Sequence, residues 1–302
     1  MNQSDQQSQS PKATSFAYDE AYQKIMLEVY RESKRVAEDN PCYLRVNLVK
    51  QLIENAFHRL GQKPKLDTIA LDVGCSVGTF AIECAKMGFN AHGVDFDEQA
   101  IKIAKNLNIE EGAQAQFHVM DVSDWTHNFP PVDIAICADI FEHLHDDELG
   151  SLLVSLRKNL SENGLLVFHT LPQEYEYLLW KKRKDSEVYD LRWIFEPFKF
   201  LSDKYFTRLV RIAALTYDIL RIAVKGETFK EHIKQTAHPN PLTKPRLIDI
   251  LHRAGYEIIS IETCSWAGLM PDRLEKFWKS HSITHRSMYG IVRPIPPTLT
   301  AK

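Results

Sequence analysis

Between residues 66 and 171, short apolar runs alternate with amphipathic stretches, and this alternation limits the fold more than any other feature of the chain. The apolar runs are "TIALDVG", "AHGVDF", "AQFHVMDV", "VDIAICAD" and "GLLVFHTL". Between them, apolar residues recur at helical spacing over about 78–87, 97–107 and 146–160. Strands that alternate with helices need crossover connections, which make the strands parallel and cover both faces of the sheet. We therefore expect a doubly wound α/β fold.

The residues before this region predict a tail and a pair of helices. Residues 1–15 are polar, bury little apolar surface and should be disordered. Residues 16–62 carry apolar groups at helical spacing, and Asn40-Pro41 divides them into two helices. The predicted sheet core then occupies residues 63–171.

The residues after the core complete the predicted sheet. Residues 172–240 break the alternation, are rich in aromatics and indicate a helical cap inserted into the fold. Residues 241–302 resume it with the helix "TKPRLIDILHRAGY" and the strands "EIISIETC" and "MYGIVRP". The prediction is a mostly parallel sheet of seven strands.

Composition excludes several kinds of partner. The net charge is only −3 and no basic block is present, so we expect no nucleic acid partner. No apolar run approaches the roughly 20 residues of a membrane span, and no secretory signal begins the chain. The cysteines are scattered and form no C-x-x-C pair, which is typical of reduced thiols in the cytoplasm rather than of disulfides or a zinc site.

The stretch "LDVGCSVGTF", residues 71–80, predicts a strand that turns tightly into a helix. Gly74 and Gly78 flank the turn, and glycine permits positive φ and a close approach of the backbone to a ligand. Nucleotide-binding folds share such a turn, but a purely structural turn has the same pattern. The neighbouring motifs have to decide between the two.

Acidic residues follow the next strands. Asp95 lies about 20 residues beyond the glycine loop, where a carboxylate can hold both hydroxyls of a ribose. Asp97 is the better helix cap because it directly precedes "EQAIKIAKNL". Asp121 is placed for an exocyclic amine, and "CADIFEHLHD" follows the fourth strand. All of them fall at the edge where open α/β sheets bind ligands.

As a set, "LDVGCSVGTF", "GVDFD", "MDVSD" and "ADIFEHL" resemble the class I S-adenosylmethionine-dependent methyltransferases. The ending "HPNPLTKPRLIDILHRAGYEIISIE" is similar to that of bacterial members acting on sugars, glycans or other small natural products. The resemblance implies S-adenosylmethionine as cofactor and an enzyme that methylates a small acceptor, most simply on a hydroxyl. One departure is Ser76, where many members carry the middle glycine of the loop.

The resemblance also implies which residues bind the cofactor. They are Asp72 near its amino group; Gly74, Cys75, Ser76 and Gly78 along its methionine portion; Asp95 on the ribose; Phe96 over the adenine; Asp121 and Val122 beside the adenine; and Asp139 and Ile140 on the pocket floor.

A hydroxyl acceptor benefits from a general base. His169, at the end of the fifth predicted strand, is the first candidate, and His143 is the second. A histidine held by the backbone or packed under the cap is an equally good interpretation of each. His232 and His238 could reach in from the cap, but the sequence does not place them.

The cap supplies the expected acceptor contacts, Tyr175, Trp193 and Phe198. Within it, "WKKRK" at 180–184 is more typical of a solvated helix face than of an anion clamp. The run "RLVRIAALTYDILRIAVK" mixes cations with an apolar face, as a membrane-surface helix does, but is interpreted as the core of the cap.

Some alternatives stay open. "EHLHDDE" at 142–148 could hold a metal, but Asp146 and Asp147 more simply cap the next helix, and no metal is expected. Nitrogen or carbon acceptors, a homodimer and an inactive S-adenosylmethionine-binding module are not excluded. A nicotinamide-dependent dehydrogenase would share the first loop, but "ADIFEHL" and the terminal strands disfavour it.

Overall fold

The computed structural model describes most of the chain. It covers residues 20–37, 40–59, 67–121, 130–171, 178, 180–182, 188–190, 192–198, 200–233, 238–264, 285 and 287–296. The predicted tail at 1–15 lies outside these residues.

The main element is a seven-stranded sheet in the order β3-β2-β1-β4-β5-β9-β8. Strands β1 to β5 pair in parallel, whereas β9 is antiparallel to both β5 and β8. The predicted doubly wound, mostly parallel α/β fold is therefore confirmed. The strands are β1 Ile69–Val73, β2 Asn90–Asp95, β3 Gln116–Val119, β4 Val132–Ala138, β5 Leu160–Thr170, β8 Tyr256–Cys264 and β9 Ser287–Pro294.

Helices precede the sheet and connect its strands. The connecting helices begin within a few residues of the strand ends, which brings those ends and the helix starts to one edge of the sheet. The helices are α1 Glu20–Ser33, α2 Pro41–Arg59, α3 Thr79–Lys86, α4 Glu98–Glu110, α5 Asp146–Asn159, α6 Asp203–Lys225, α7 Phe229–Ile233 and α8 Lys244–Arg253.

The hydrophobic core has two layers because successive strand residues face opposite sides of the sheet. In β4, Ile134 and Ile136 lie in the layer that contains Ile53 of α2. Ala135 and Cys137 face the other layer, which contains Leu152 of α5 and Leu251 of α8. These residues are fully buried, so both faces of the sheet are covered.

The cap region differs from the sequence prediction in two places. Trp180–Lys182 forms a short strand, β6, paired antiparallel with β7 at Val188–Asp190, so the interpretation of "WKKRK" as a helix face is wrong. Helix α6 buries only Phe206, Val210 and Ala214, and its other apolar side chains are partly or largely exposed. The α6 run is therefore not mainly the core of the cap.

The described helices are too short or too polar to be membrane spans. None of them, within the ranges given above, combines the length and hydrophobicity needed to cross a bilayer.

Candidate functional site

A cavity of about 370 Å³ opens at the carboxyl edge of the sheet. This volume falls in the range of roughly 300–1,000 Å³ that is usual for small-molecule sites. The loops after β1, β2, β3 and β4 form its walls, and side chains of α1 and α2 also line it. The sequence predicted the strand-end loops but not the two helices.

The loop between β1 and α3 has an unusual backbone. Gly74, Ser76 and Gly78 all have positive φ, at 68°, 48° and 84°. Serine seldom adopts this conformation, because its Cβ crowds the backbone there. The loop folds in this way because Cys75 donates its backbone N–H to the Val94 carbonyl, while Gly78 donates to the Cys75 carbonyl.

Two strand-end aspartates line the cavity and hold the backbone around it. Asp95 accepts hydrogen bonds from the Ser76 N–H at 2.8 Å and the Asp97 N–H at 3.0 Å. Asp72 accepts one from the Ala81 N–H in the first turn of α3, also at 3.0 Å. Burial raises the pKa of Asp95 above its ordinary value and that of Asp72 to about 7. Both carboxyls are thus poorly solvated groups at a cavity wall.

The adenine side of the predicted site is also present. Phe96 is 37% exposed and lines the cavity. Asp121 lines the same wall, whereas Val122 lies outside the described residues. Asp97 caps α4 through the Gln99 and Ala100 N–H groups, which confirms its predicted role.

The cavity fits the cofactor implied by the resemblance. Among the described residues, the Ser76 hydroxyl is buried and has no hydrogen-bond partner, although Ser76 lines the cavity. A buried hydroxyl normally has a partner, so a polar ligand group would satisfy it. An added Cβ on Gly74 would lie 2.5 Å from the Ile140 side chain, which itself lines the cavity. The loop therefore requires glycine at position 74.

At the floor of the cavity, a half-buried aspartate joins two basic side chains. Asp139 has a φ of 58° and its carboxylate contacts both Arg45 of α2 and His169 Nδ1 of β5. Burial opposes ionisation of Asp139, but the charges of His169 and Arg45 hold its pKa below its ordinary range. His169 is fully buried and does not line the cavity, whereas Asp139 and Arg45 do.

The predicted second histidine does line the cavity. His143 lies in a short 3-10 helix, Phe141–His143, and its ring centroid is 4.8 Å from that of His238. Glu142 beside it is buried and accepts a hydrogen bond from the Thr170 hydroxyl at 2.7 Å. Burial raises the pKa of Glu142 well above its ordinary value, and the charge of Asp139 raises it further. The structure therefore places an imidazole pair next to a buried carboxyl whose pKa is raised.

Glu142, His143 and His238 are also close enough to one another to be considered as metal ligands. Ligand atoms of Glu142, His143 and His238 lie within 4.8 Å of one another, a proximity that the spacing in the sequence does not reveal. The expectation that Asp146 and Asp147 cap α5 is wrong, since the cap residue is His145, whose N–H donates to Glu148 at 2.9 Å.

The predicted acceptor contacts of the cap are only partly described. Tyr175 and the side chain of Trp193 lie outside the described residues. Phe198 is exposed. Neither Phe198 nor His232 is among the described residues that line the cavity. In the described part of residues 172–240, His238 alone contributes to the lining.

The N-terminal helices supply lining residues that sequence reasoning missed. Tyr22, Gln23 and Met26 of α1 line the cavity together with Arg45 of α2, and Gln23 donates a hydrogen bond to Asp97. Arg45 had no distinguishing signal in the sequence, because α2 also carries other charged residues such as Lys50 and Glu54. No pattern in the sequence indicated Tyr22, because the cavity that it lines is formed with strand-end residues far along the chain.

Comparison with known proteins gives a family match over most of the chain. The family model described as "Methyltransferase domain" matches residues 46–261. This range includes the glycine loop, the strand-end acids and His143. The predicted resemblance is thereby confirmed at the level of the family.

The curated relatives that the chain matches include proteins named ubiquinone biosynthesis O-methyltransferase. The one from Hydrogenovibrio crunogenus is 31% identical over 139 residues, covering 45% of this chain and 52% of the relative. The one from Nitrosomonas europaea is 28% identical over 152 residues, covering 49% and 59%. The chain thus spans little more than half the length of the curated relatives it matches.

A solved structure supports the fold alone. An S-adenosylmethionine-dependent methyltransferase from Clostridium acetobutylicum aligns with a TM-score of 0.51 at 12% identity, covering 91% of this chain and 99% of that one.

Proposed function

The chain belongs to the methyltransferase domain family, and we propose that it transfers a methyl group from S-adenosylmethionine to a hydroxyl oxygen of a small molecule. One observation carries the proposal. The glycine loop, Asp95 and His143 all line one cavity. This arrangement supports the proposal, because the residues expected to bind the cofactor and an imidazole line the same space.

The protein's task in this reaction is mainly positioning. S-adenosylmethionine supplies a methyl group that its sulfonium has already activated. Asp95 and Phe96 would bind the adenosine portion, and the loop at Gly74 would fix the methionine portion. Tyr22 and Met26 of α1 would exclude water, which competes with the acceptor.

We place a phenolic hydroxyl ahead of the sugar hydroxyl that the sequence pattern predicts. The name of the relatives associates them with ubiquinone biosynthesis and with an oxygen acceptor. A phenol, with a pKa near that of tyrosine at about 10, also loses its proton to an imidazole more readily than an aliphatic alcohol does.

His143 is the better candidate for the base. It lines the cavity, while His169 is buried with Nδ1 on Asp139. We assign His169 the role of a positioning residue, which holds Asp139 and through it the cavity floor. Asp139 keeps a backbone conformation that costs a non-glycine residue of the order of 1 kcal/mol, and the pairing with His169 and Arg45 stabilises it.

The activity test measures release of the demethylated cofactor with catechols, simple phenols, sugars and amines as acceptors. We expect turnover with catechols and little with sugars. Turnover only with amines or sugars would contradict the acceptor class. Binding of S-adenosylmethionine without turnover on any acceptor would instead support the inactive binding module.

The base assignment is tested with His143→Ala and His169→Ala, measured for kcat, cofactor affinity and thermal stability. His143→Ala should lower kcat about 10²–10⁴-fold with cofactor affinity unchanged, because it removes the proton acceptor. His169→Ala should mainly lower stability, because it leaves the half-buried Asp139 without one of its two partners. A stable His169→Ala protein with a large loss of kcat, beside a near-normal His143→Ala, would reverse the two roles.

A further inference from the structure

Helix α6 carries an apolar surface that the described parts of the fold do not cover. Phe206, Val210 and Ala214 are its buried residues. The exposed ones are large, with exposed fractions of 62% for Ile212, 67% for Ile219 and 77% for Val224. Soluble proteins seldom expose a contiguous apolar patch of this kind unless it serves a partner or a membrane.

The exposed residues form a broad face rather than a narrow seam. Viewed down the helix axis, with about 100° between successive residues, the exposed apolar side chains span an arc of roughly 200°. Ile222 lies at one edge of this arc and Val224 at the other. The side chains in the arc are Tyr205, Ile212, Leu215, Ile219, Leu220, Ile222 and Val224. A coiled-coil seam needs only two positions of every seven, so this face is wider than helix pairing requires.

Several cations lie within and beside this face. Within the described residues, no carboxylate pairs with Lys204, Arg208, Arg211 or Lys225, whereas Arg221 is held by Glu227 at 2.8 Å. Long cationic side chains at the border of an apolar face can place their charge at the level of lipid phosphates. Phe200, which precedes the helix, is 79% exposed and adds an aromatic group of the kind favoured at membrane interfaces.

We propose that α6 is a membrane-surface helix that docks the protein on a bilayer containing anionic phospholipids. Its apolar face lies among the acyl chains near the headgroups, and its cations contact the lipid phosphates. A second copy of the chain fits less well, because it would bring the same unneutralised cations together across the contact. The proposal does not depend on methyl transfer, since it concerns a surface formed by other residues.

The test is co-sedimentation with phospholipid vesicles of phosphatidylcholine alone or with phosphatidylglycerol. The wild-type protein should bind the anionic vesicles about tenfold more tightly, and salt should weaken that binding because it screens the charges. Ile212→Glu with Ile219→Glu should reduce binding at least about tenfold, since charges cannot enter the apolar layer cheaply.

Matched controls are available on α4. Ile109→Glu changes a side chain that is 77% exposed, and it should leave vesicle binding unchanged. Arg211→Glu should weaken binding to anionic vesicles, whereas Lys105→Glu should not. Unchanged cofactor affinity and thermal stability would show that the α6 variants fold.

Three results would overturn the proposal. The first is absence of wild-type binding to anionic vesicles at low salt. The second is equal binding by the α6 and α4 variants. The third is a wild-type dimer in sedimentation equilibrium that the α6 variants convert to a monomer while vesicle binding stays the same, which would make α6 an interface between copies.

Discussion

Asp95 shows how one side chain can serve both the protein backbone and a ligand. Its two oxygens accept hydrogen bonds from Ser76 and Asp97, so the carboxylate ties the glycine loop to the end of β2. Each carboxylate oxygen can accept more than one hydrogen bond, so these contacts leave room for the two hydroxyls of a ribose. Removing the side chain would disturb the loop as well as the ligand contact.

A test of the ribose contact must therefore separate these two effects. We expect wild-type protein to bind S-adenosylhomocysteine more tightly than its 2′,3′-dideoxy analogue, since hydrogen bonds to a charged group contribute about 1.5–3 kcal/mol each. In Asp95→Ala this difference between the ligands should disappear, even if both bind more weakly. Calorimetric titration measures it. A preference that survives in the variant would assign Asp95 to the backbone alone.

The loop between β1 and α3 is an element whose shape depends on glycine for two reasons. Its backbone has positive φ, and a side chain at Gly74 would also collide with Ile140. Gly112, after α4, has a similar φ of 61° but nothing within 4 Å of an added Cβ. Substitutions at Gly74 and Gly112 can therefore separate the cost of backbone strain, which both share, from the cost of the collision with Ile140, which only Gly74 has.

We expect Gly112→Ala to cost about 1 kcal/mol of stability and to leave cofactor binding intact. Gly74→Ala should cost more than that and should also weaken cofactor binding, because Ile140 must move into the cavity. Urea denaturation and calorimetry on both variants give the two quantities. Normal cofactor affinity in a folded Gly74→Ala protein would show that the loop is only a structural turn.

Buried acids at the carboxyl edge of the sheet make the stability of the whole molecule depend on pH. Burial raises the pKa of Asp72 from 3.8 to about 7, and Asp95 facing it adds to the effect. Because the pKa of Asp72 in the folded protein lies above its unfolded value, the protonated Asp72 makes its full contribution to stability below about pH 3.8. This contribution is lost as the pH rises through 7.

Asp72→Asn should remove this dependence, because the amide oxygen can still accept the Ala81 N–H but has no proton to lose. Between about pH 5 and 7, wild-type protein without ligand should lose stability relative to the variant by about 1 kcal/mol per pH unit. Urea denaturation at several pH values measures the difference. Parallel curves for the two proteins would contradict the raised pKa.

The sequence by itself determined the sheet, the glycine loop and the strand-end acids. Strands with period 2, helices with period 3.6 and short connections are local patterns, and the carboxyl ends of parallel strands meet at one edge whatever the rest of the chain does. Asp95, Phe96 and Asp121 could be placed for this reason. The cap of α4 at Asp97 was also local.

Only the tertiary structure decided which histidine reaches the cavity and which helices cover it. His169 lies at the end of β5 and His143 follows β4, but His169 is buried against Asp139, which also pairs with Arg45, whereas His143 of the 3-10 helix lines the cavity. Such differences depend on residues up to 94 positions apart, as in the pair Arg45 and Asp139, and no local pattern records them. The exposure of α6 has the same origin, because an apolar face shows in the sequence but what packs against it does not.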